Sequence, residues 1–281
     1  MRCGFHLASL PHHEWASIAG PLLQLGYRCV AIRASARWLA QDTAERPRLI
    51  GDLGRLREVG LEVVIDADGK FVIDPYDAHA PRMARAAELA DRETLLMRWI
   101  DLAEQIGSRL VTFSVGAAEE YEDAETVLKR IAAPIARLVE HASPRGVELG
   151  IKAEIGSVIE TASHFDRLQQ WLPGSIADHR GLGWVADIAV MARRGELPIG
   201  DRLKRVSGRL RCVYLSDVAA GVAGDMRFGS GDLAIDRIAK SLQEIAYSGP
   251  LILRCEGYGD AGLALAREAM EAVGGLRQPR S

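Results

Sequence analysis

The chain has 281 residues, 35 basic and 38 acidic, a formal charge of −3, and 48% apolar against 26% charged residues. That composition suits a globular protein with a sizeable core, and it offers no basic field for nucleic acid. No apolar run is long enough to span a bilayer and no charged-then-apolar leader precedes residue 3, so a cytoplasmic location without a membrane partner is expected.

The opening run RCGFHLAS reads as a strand from residue 2 that ends near His6. After it, a glycine-ended helix gives way seven times to a short apolar run that stops on polar residues. The joints are LLQLGYRCVAIRAS, LREVGLEVVIDAD, AEQIGSRLVTFS, SPRGVELGIKAE, DHRGLGWVAD, SGRLRCVYLSD and AYSGPLILRCE. They predict strands beginning near residues 27, 61, 109, 147, 182, 210 and 250. Runs this short and this apolar suit parallel strands covered by helices. In DRETLLMRWIDLAEQIG, one helix face gathers Leu95, Leu96, Trp99, Ile100, Leu102, Ala103 and Ile106, and Gly107 ends it. Gly26, Gly60 and Gly146 read the same way, and Thr161 or Ser163 caps the helix that Pro173 helps end. Eight strands alternating with helices predict an α/β fold, a single (β/α)8 TIM barrel occupying residues 1–281 as one domain.

Barrel enzymes work at the C-terminal ends of their strands. Here those ends hold His6, Arg33, Asp66, Asp68, Ser114, Lys152, Glu154, Asp187, Tyr214, Asp217, Arg254 and Glu256. Two long connections, residues 67–91 and 217–232, leave from the same end, and Tyr76 and Arg227 are their side chains expected to reach a ligand. Cys3, Cys29, Cys212 and Cys255 all fall in strands without CxxC spacing, which suits buried reduced thiols rather than a zinc site.

At residues 146–154, 181–190, 211–217 and 228–254 the chain resembles the xylose isomerase-like barrels, in the sugar phosphate isomerase/epimerase and endonuclease IV-like group. GFHLASLP, WIDLAEQIGSRLVTFSVG and FGSGDLAIDRIAKSLQEIAYSGPLIL carry the likeness further; FGSGD matches a family turn and lacks the lysine of a nucleotide loop. The resemblance implies one divalent metal held by a Glu, an Asp, a His and a Glu from strands 5 to 8. At those positions this chain has Lys152, Asp187, Tyr214 and Arg254. A divalent ion beside two fixed cations would meet repulsion of roughly 4 kcal/mol per unit-charge pair at about 4 Å. No metal cofactor is therefore expected; the alternative, a register shifted by two residues, offers Glu154 and Glu256 to Mn or Mg.

Each candidate has a catalytic and a structural reading. Lys152 is a base, electrophile or imine former positioned by Asp187, or an ammonium that fills the metal's place and neutralises Asp187. Arg254 is a clamp for a substrate carboxylate or phosphate, or a partner of Glu154 or Glu256. Tyr214 is a general acid or a packed strand-end aromatic, His6 a proton shuttle or a core histidine, and Asp66 with Asp68 a carboxylate pair or a turn. The leading expectation is a metal-independent isomerase or epimerase acting on a small polyhydroxylated or oxo-acid molecule by proton transfer next to a carbonyl. Its catalytic set is Lys152, Asp187, Tyr214 and Glu154, with Arg254, His6, Glu256, Arg227 and Asp66 binding substrate. The alternatives are a catalytically silent binding or scaffold barrel and a metal-dependent isomerase in the shifted register; the oligomeric state stays open.

Overall fold

The computed structural model describes residues 1–35, 45–177 and 181–274. Eight parallel strands close in sequence order: β1 (Arg2–His6), β2 (Cys29–Arg33), β3 (Glu62–Asp66), β4 (Leu110–Phe113), β5 (Glu148–Lys152), β6 (Leu182–Asp187), β7 (Leu210–Leu215) and β8 (Pro250–Leu253). Each begins within two residues of the sequence expectation. The Asp178–Arg180 lead into β6 lies outside the described residues.

Among the described residues the covering helices are α1 (Trp15–Gln24), α2 (Glu45–Glu58), α3 (Leu89–Ile106), α4 (Ala124–Ala142), α5 (Ala162–Gln169), α6 (Gly174–Ala177), α7 (Ile188–Arg193), α8 (Ile199–Val206), α9 (Ile235–Glu244) and α10 (Leu263–Ala272). The face foreseen for α3 is buried residue for residue, with Arg92 added to it. Gly107 ends α3 at φ 64°, a left-handed turn that a side chain would strain. Thr161 caps α5 by accepting from the His164 amide. None of the described helices is long and apolar enough to cross a membrane.

Side chains alternate along each strand, so one set packs under the helices and the other fills the barrel. Cys29, Ala31, Val64, Leu110, Val185, Cys212, Tyr214 and Ile252 form that separate inner cluster. Close packing inside needs glycine at two points. A Cβ on Gly4 would meet Cys29 Sγ and come within 2.6 Å of Ile252 Cδ1, and one on Gly150 would collide with Val185 Cγ2. All four cysteines are free and buried.

The same alternation sets the site. Two residues beyond the inner positions Gly4, Val64, Gly150 and Cys212 stand His6, Asp66, Lys152 and Tyr214; two beyond Ala31, Val185 and Ile252 stand Arg33, Asp187 and Arg254. Alternate strands of a barrel share a layer. The odd strands therefore contribute His6, Asp66, Lys152 and Tyr214, and the even strands contribute Arg33, Asp187 and Arg254.

Candidate active site

A cavity of about 470 Å³ opens at the strand C-terminal end, with Asp66, Asp68, Lys152, Glu154, Asp187 and Arg254 in its wall. Two cations dominate it, the buried Lys152 and the half-buried Arg254, each held by two carboxylates. Lys152 Nζ lies 2.7 Å from Asp66 Oδ1 and 2.8 Å from Asp68 Oδ2. Burial opposes its charge, but the charges of Asp66 and Asp68 outweigh that and raise its pKa above that of a free lysine. Burial likewise opposes the charge on Asp66, yet Lys152 first and then His6 hold this carboxyl well below the usual range. Asp68 is fixed in turn by Arg92 Nη2 at 2.8 Å and by the Ser114 amide at 2.9 Å.

The second cation is Arg254. Its Nη2 donates to Asp187 Oδ2 at 3.1 Å, and its Nε lies 3.3 Å from Asp225 Oδ2 and 3.2 Å from Ser216 Oγ. Asp187 Oδ1 is occupied as well, accepting from the Ala189 and Val190 amides at the start of α7. Arg33 grips Glu256 through both guanidinium ends. Burial pushes the Glu256 carboxyl up, but the hydrogen bonds and charge of Arg33 prevail and hold it at about 2. Lys152 Nζ and the Arg254 guanidinium both stand over the Tyr214 ring, 5.2 and 5.9 Å from its centre.

Against the sequence expectations, the Lys152–Asp187 pair is not formed. The two residues belong to different layers of the barrel, so Lys152 on β5 reaches Asp66 on β3, and Asp187 on β6 meets Arg254 on β8. Imine formation from Lys152 needs a neutral amine, and the two carboxylates keep it an ammonium. Arg254 takes Asp187 and Asp225 as its close partners rather than Glu154, and Glu256 stands at 4.0 Å. The Tyr214 hydroxyl is not available as an acid: the residue is fully buried, does not line the cavity, and its OH pairs with Thr112 Oγ1 at 2.9 Å. Burial pushes its pKa far up.

His6 is also enclosed below the cavity wall. Its Nδ1 accepts from the Ala8 amide, which leaves the proton on Nε2, donated to Asp66 at 3.2 Å. Burial lowers its pKa by more than Asp66 raises it, so it is a neutral positioner of Asp66 and not a substrate contact. Arg227 is tied to Glu268 on α10, and Tyr76 is 95% exposed; neither lines the cavity. The loop after β3 supplies His79, Arg82 and Arg85 to the wall instead. Glu154 lines the cavity, and among the described residues its carboxylate has no hydrogen-bond or ion-pair partner.

Sequence reasoning missed Arg92, Asp225 and Ser216. Arg92 carried a signal, since it lies three and four residues before Leu95 and Leu96 and so falls on the buried face of α3. Asp225 carried none within its glycine-rich loop.

The residues at the expected metal positions do not fit a divalent ion. Lys152 and Arg254 are cations already saturated with carboxylate, Tyr214 is capped by Thr112, and both oxygens of Asp187 are taken. In the shifted register Glu256 is held by Arg33. Among the described residues no group of three or more His, Cys, Asp or Glu could hold a metal. A larger cavity, about 980 Å³, lies at the opposite end of the barrel. Its carboxylates Glu62 and Glu148 are paired with Arg2 and Arg211, and no strand C-terminus reaches it.

A family profile described as xylose isomerase-like TIM barrel matches residues 21–276. No protein of curated function matches the sequence. Solved structures share the fold. A D-psicose 3-epimerase crystallised in the presence of D-fructose superposes with a TM-score of 0.74 at 14% identity, covering 98% of this chain and 97% of that one. The 3-keto-D-glucoside 4-epimerase YcjR from E. coli, in its apo form, gives 0.73 at 13% identity, covering 98% and 99%. The IOLI protein with a bound zinc atom gives 0.73 at 14% identity, covering 99% and 100%. At such identities the likeness is one of fold.

Proposed function

The chain belongs to the xylose isomerase-like TIM barrel family, and on that footing we propose that it is an isomerase or epimerase that works without a metal. It moves a proton next to the carbonyl of a small polyhydroxylated or oxo-acid substrate, in the cytoplasm. One observation carries the reading: Glu154, a carboxylate with no partner among the described residues, shares a cavity wall with two cations that still have donors to give. Lys152 spends two of its three N–H donors on Asp66 and Asp68, and Arg254 spends Nε and Nη2 while Nη1 has no protein partner among the described residues.

Glu154 takes the proton from the carbon beside the carbonyl. The electron pair of the broken C–H bond moves onto the carbonyl oxygen, where Arg254 Nη1 and Lys152 Nζ hold the resulting enolate. Return of the proton by Glu154 to the neighbouring carbon, as the hydroxyl proton of that carbon passes to the enolate oxygen, gives the isomer. Delivery of a proton from water to the opposite face, with Glu154 giving its own proton to the hydroxide formed, gives the epimer. Preorganised donors of this kind each contribute about 10²–10³ in rate. The sugar epimerases among the structural neighbours support the substrate class by analogy.

The test is exchange of substrate C–H for deuterium in D₂O, followed by NMR with chelator present, over ketoses and hydroxy-keto acids. Wild type should incorporate deuterium next to the carbonyl, and Glu154→Gln should stop this without changing stability. Activity abolished by chelator and restored by Mn or Mg would sink the metal-free reading. A second reading, a binding barrel without turnover, draws on the double pairing of both cations; binding without exchange in any compound would favour it.

A further inference from the structure

We infer that Asp225 is the positioning residue for Arg254, turning its guanidinium so that Nη1 is the edge presented to the substrate. The inference rests on the proposed enolate-holding role of Arg254. Asp225 sits in the loop between β7 and α9 with its side chain 9% exposed, and its Oδ2 accepts from Arg254 Nε at 3.3 Å and from the Glu256 amide at 3.1 Å. Asp187 holds the guanidinium at Nη2. At Nε the neutral Ser216 hydroxyl shares the contact at 3.2 Å, and Asp225 supplies the charged hydrogen-bond partner there. A planar group gripped at two edges cannot rotate about its own axis, and its third edge then points one way.

The loop does not need Asp225 in order to fold. Asp217 accepts from the Val218, Gly229 and Gly231 amides at 2.9–3.0 Å, and Asp232 accepts from the Ala220 amide at 2.7 Å. Met226 pairs with Asp217 through the backbone, Arg193 donates to the Gly224 carbonyl, and Arg227 grips Glu268. With the chain path set by these contacts, the buried Asp225 carboxylate is left to act on β8. It also holds the amide of Glu256, so one side chain aligns Arg254 and Glu256 beyond the end of β8.

The test compares Asp225→Asn and Asp225→Glu with wild type. The first readout is hydrogen exchange at Arg254 Nε–H, followed by ¹⁵N NMR. Asparagine should speed it about tenfold or more, while backbone exchange across residues 217–232 stays unchanged. The second is the kinetic split: kcat should fall about 10²-fold with KM altered little, as for a misplaced transition-state donor, and glutamate should restore part of it. A merely structural residue would lower stability and loosen the loop while leaving Nε–H and kcat of the folded protein alone. Nε–H exchange within twofold of wild type in Asp225→Asn overturns the inference, and so does an unchanged kcat. If wild type turns over nothing, the enzyme reading fails while Nε–H exchange still decides the role of Asp225. If wild type is active and Asp225→Asn matches it, the inference fails and the enzyme reading stands.

Discussion

Replacing Lys152 by methionine, close to it in length and shape, isolates the charge at the centre of the barrel. Lys152 Nζ touches Asp66 at 2.7 Å and Asp68 at 2.8 Å, and the Asp66 side chain is only 1% exposed. Asp68 keeps Arg92 and the Ser114 amide in the variant, but Asp66 is left with two neutral donors alone, His6 at 3.2 Å and the Asp68 amide at 3.4 Å. Removing one partner of a buried pair costs about 3–5 kcal/mol, and the lower half of that range is expected because only one of the two acids is stranded. The loss should shrink on acidification. In wild type Asp66 titrates well below its ordinary value, so its contribution is lost as pH falls; in the variant burial raises it, and taking up a proton relieves the fold. Urea unfolding at pH 7 and pH 5 reads both stabilities, and Lys152→Met combined with Asp66→Asn should recover part of the loss at pH 7. A variant within about 1 kcal/mol of wild type at pH 7, or no recovery in the double variant, would refute an ammonium that neutralises Asp66.

Two further outcomes follow from the interior. His6 is buried neutral with a lowered pKa, so its contribution is complete above the unfolded value of about 6.5 and is lost as pH falls below it, at up to about 1.4 kcal/mol per pH unit. Denaturant titrations from pH 8 to pH 5 should therefore show a shallower acid slope in His6→Gln, and parallel slopes would contradict this. Gly150→Ala drives a methyl into Val185 and should cost about 1–3 kcal/mol, read as a lower unfolding midpoint; an unchanged midpoint would mean that the barrel interior yields more readily than its packing indicates.

The strands were legible because a short apolar run follows each glycine-ended helix, and the inward-facing side chains because they stand at the polar ends of those runs. His6, Asp66, Lys152 and Tyr214 each follow an inner small or apolar residue by two positions. Partner choice was not legible. Pairing in a closed barrel follows the stagger of alternate strands, a property of closure that no single run encodes. For that reason Lys152 joins Asp66 across β4, whose inward Thr112 is short enough to be bridged, and Asp225 enters from a loop whose glycines leave no periodic trace.

The double carboxylate grip on each cation constrains how this protein can change over time. A substitution that removes the charge of Lys152 or Arg254 leaves a carboxylate of the site without its cation and carries a penalty of a few kcal/mol, a sizeable share of a domain's net stability. Building an ion-binding centre here would require replacing both cations, and each single replacement carries that penalty. The present charge arrangement therefore acts as a ratchet. Descendants of this chain can readily vary the rim residues of the mouth, but the Lys152 and Arg254 positions are coupled to their acids and must move together with them.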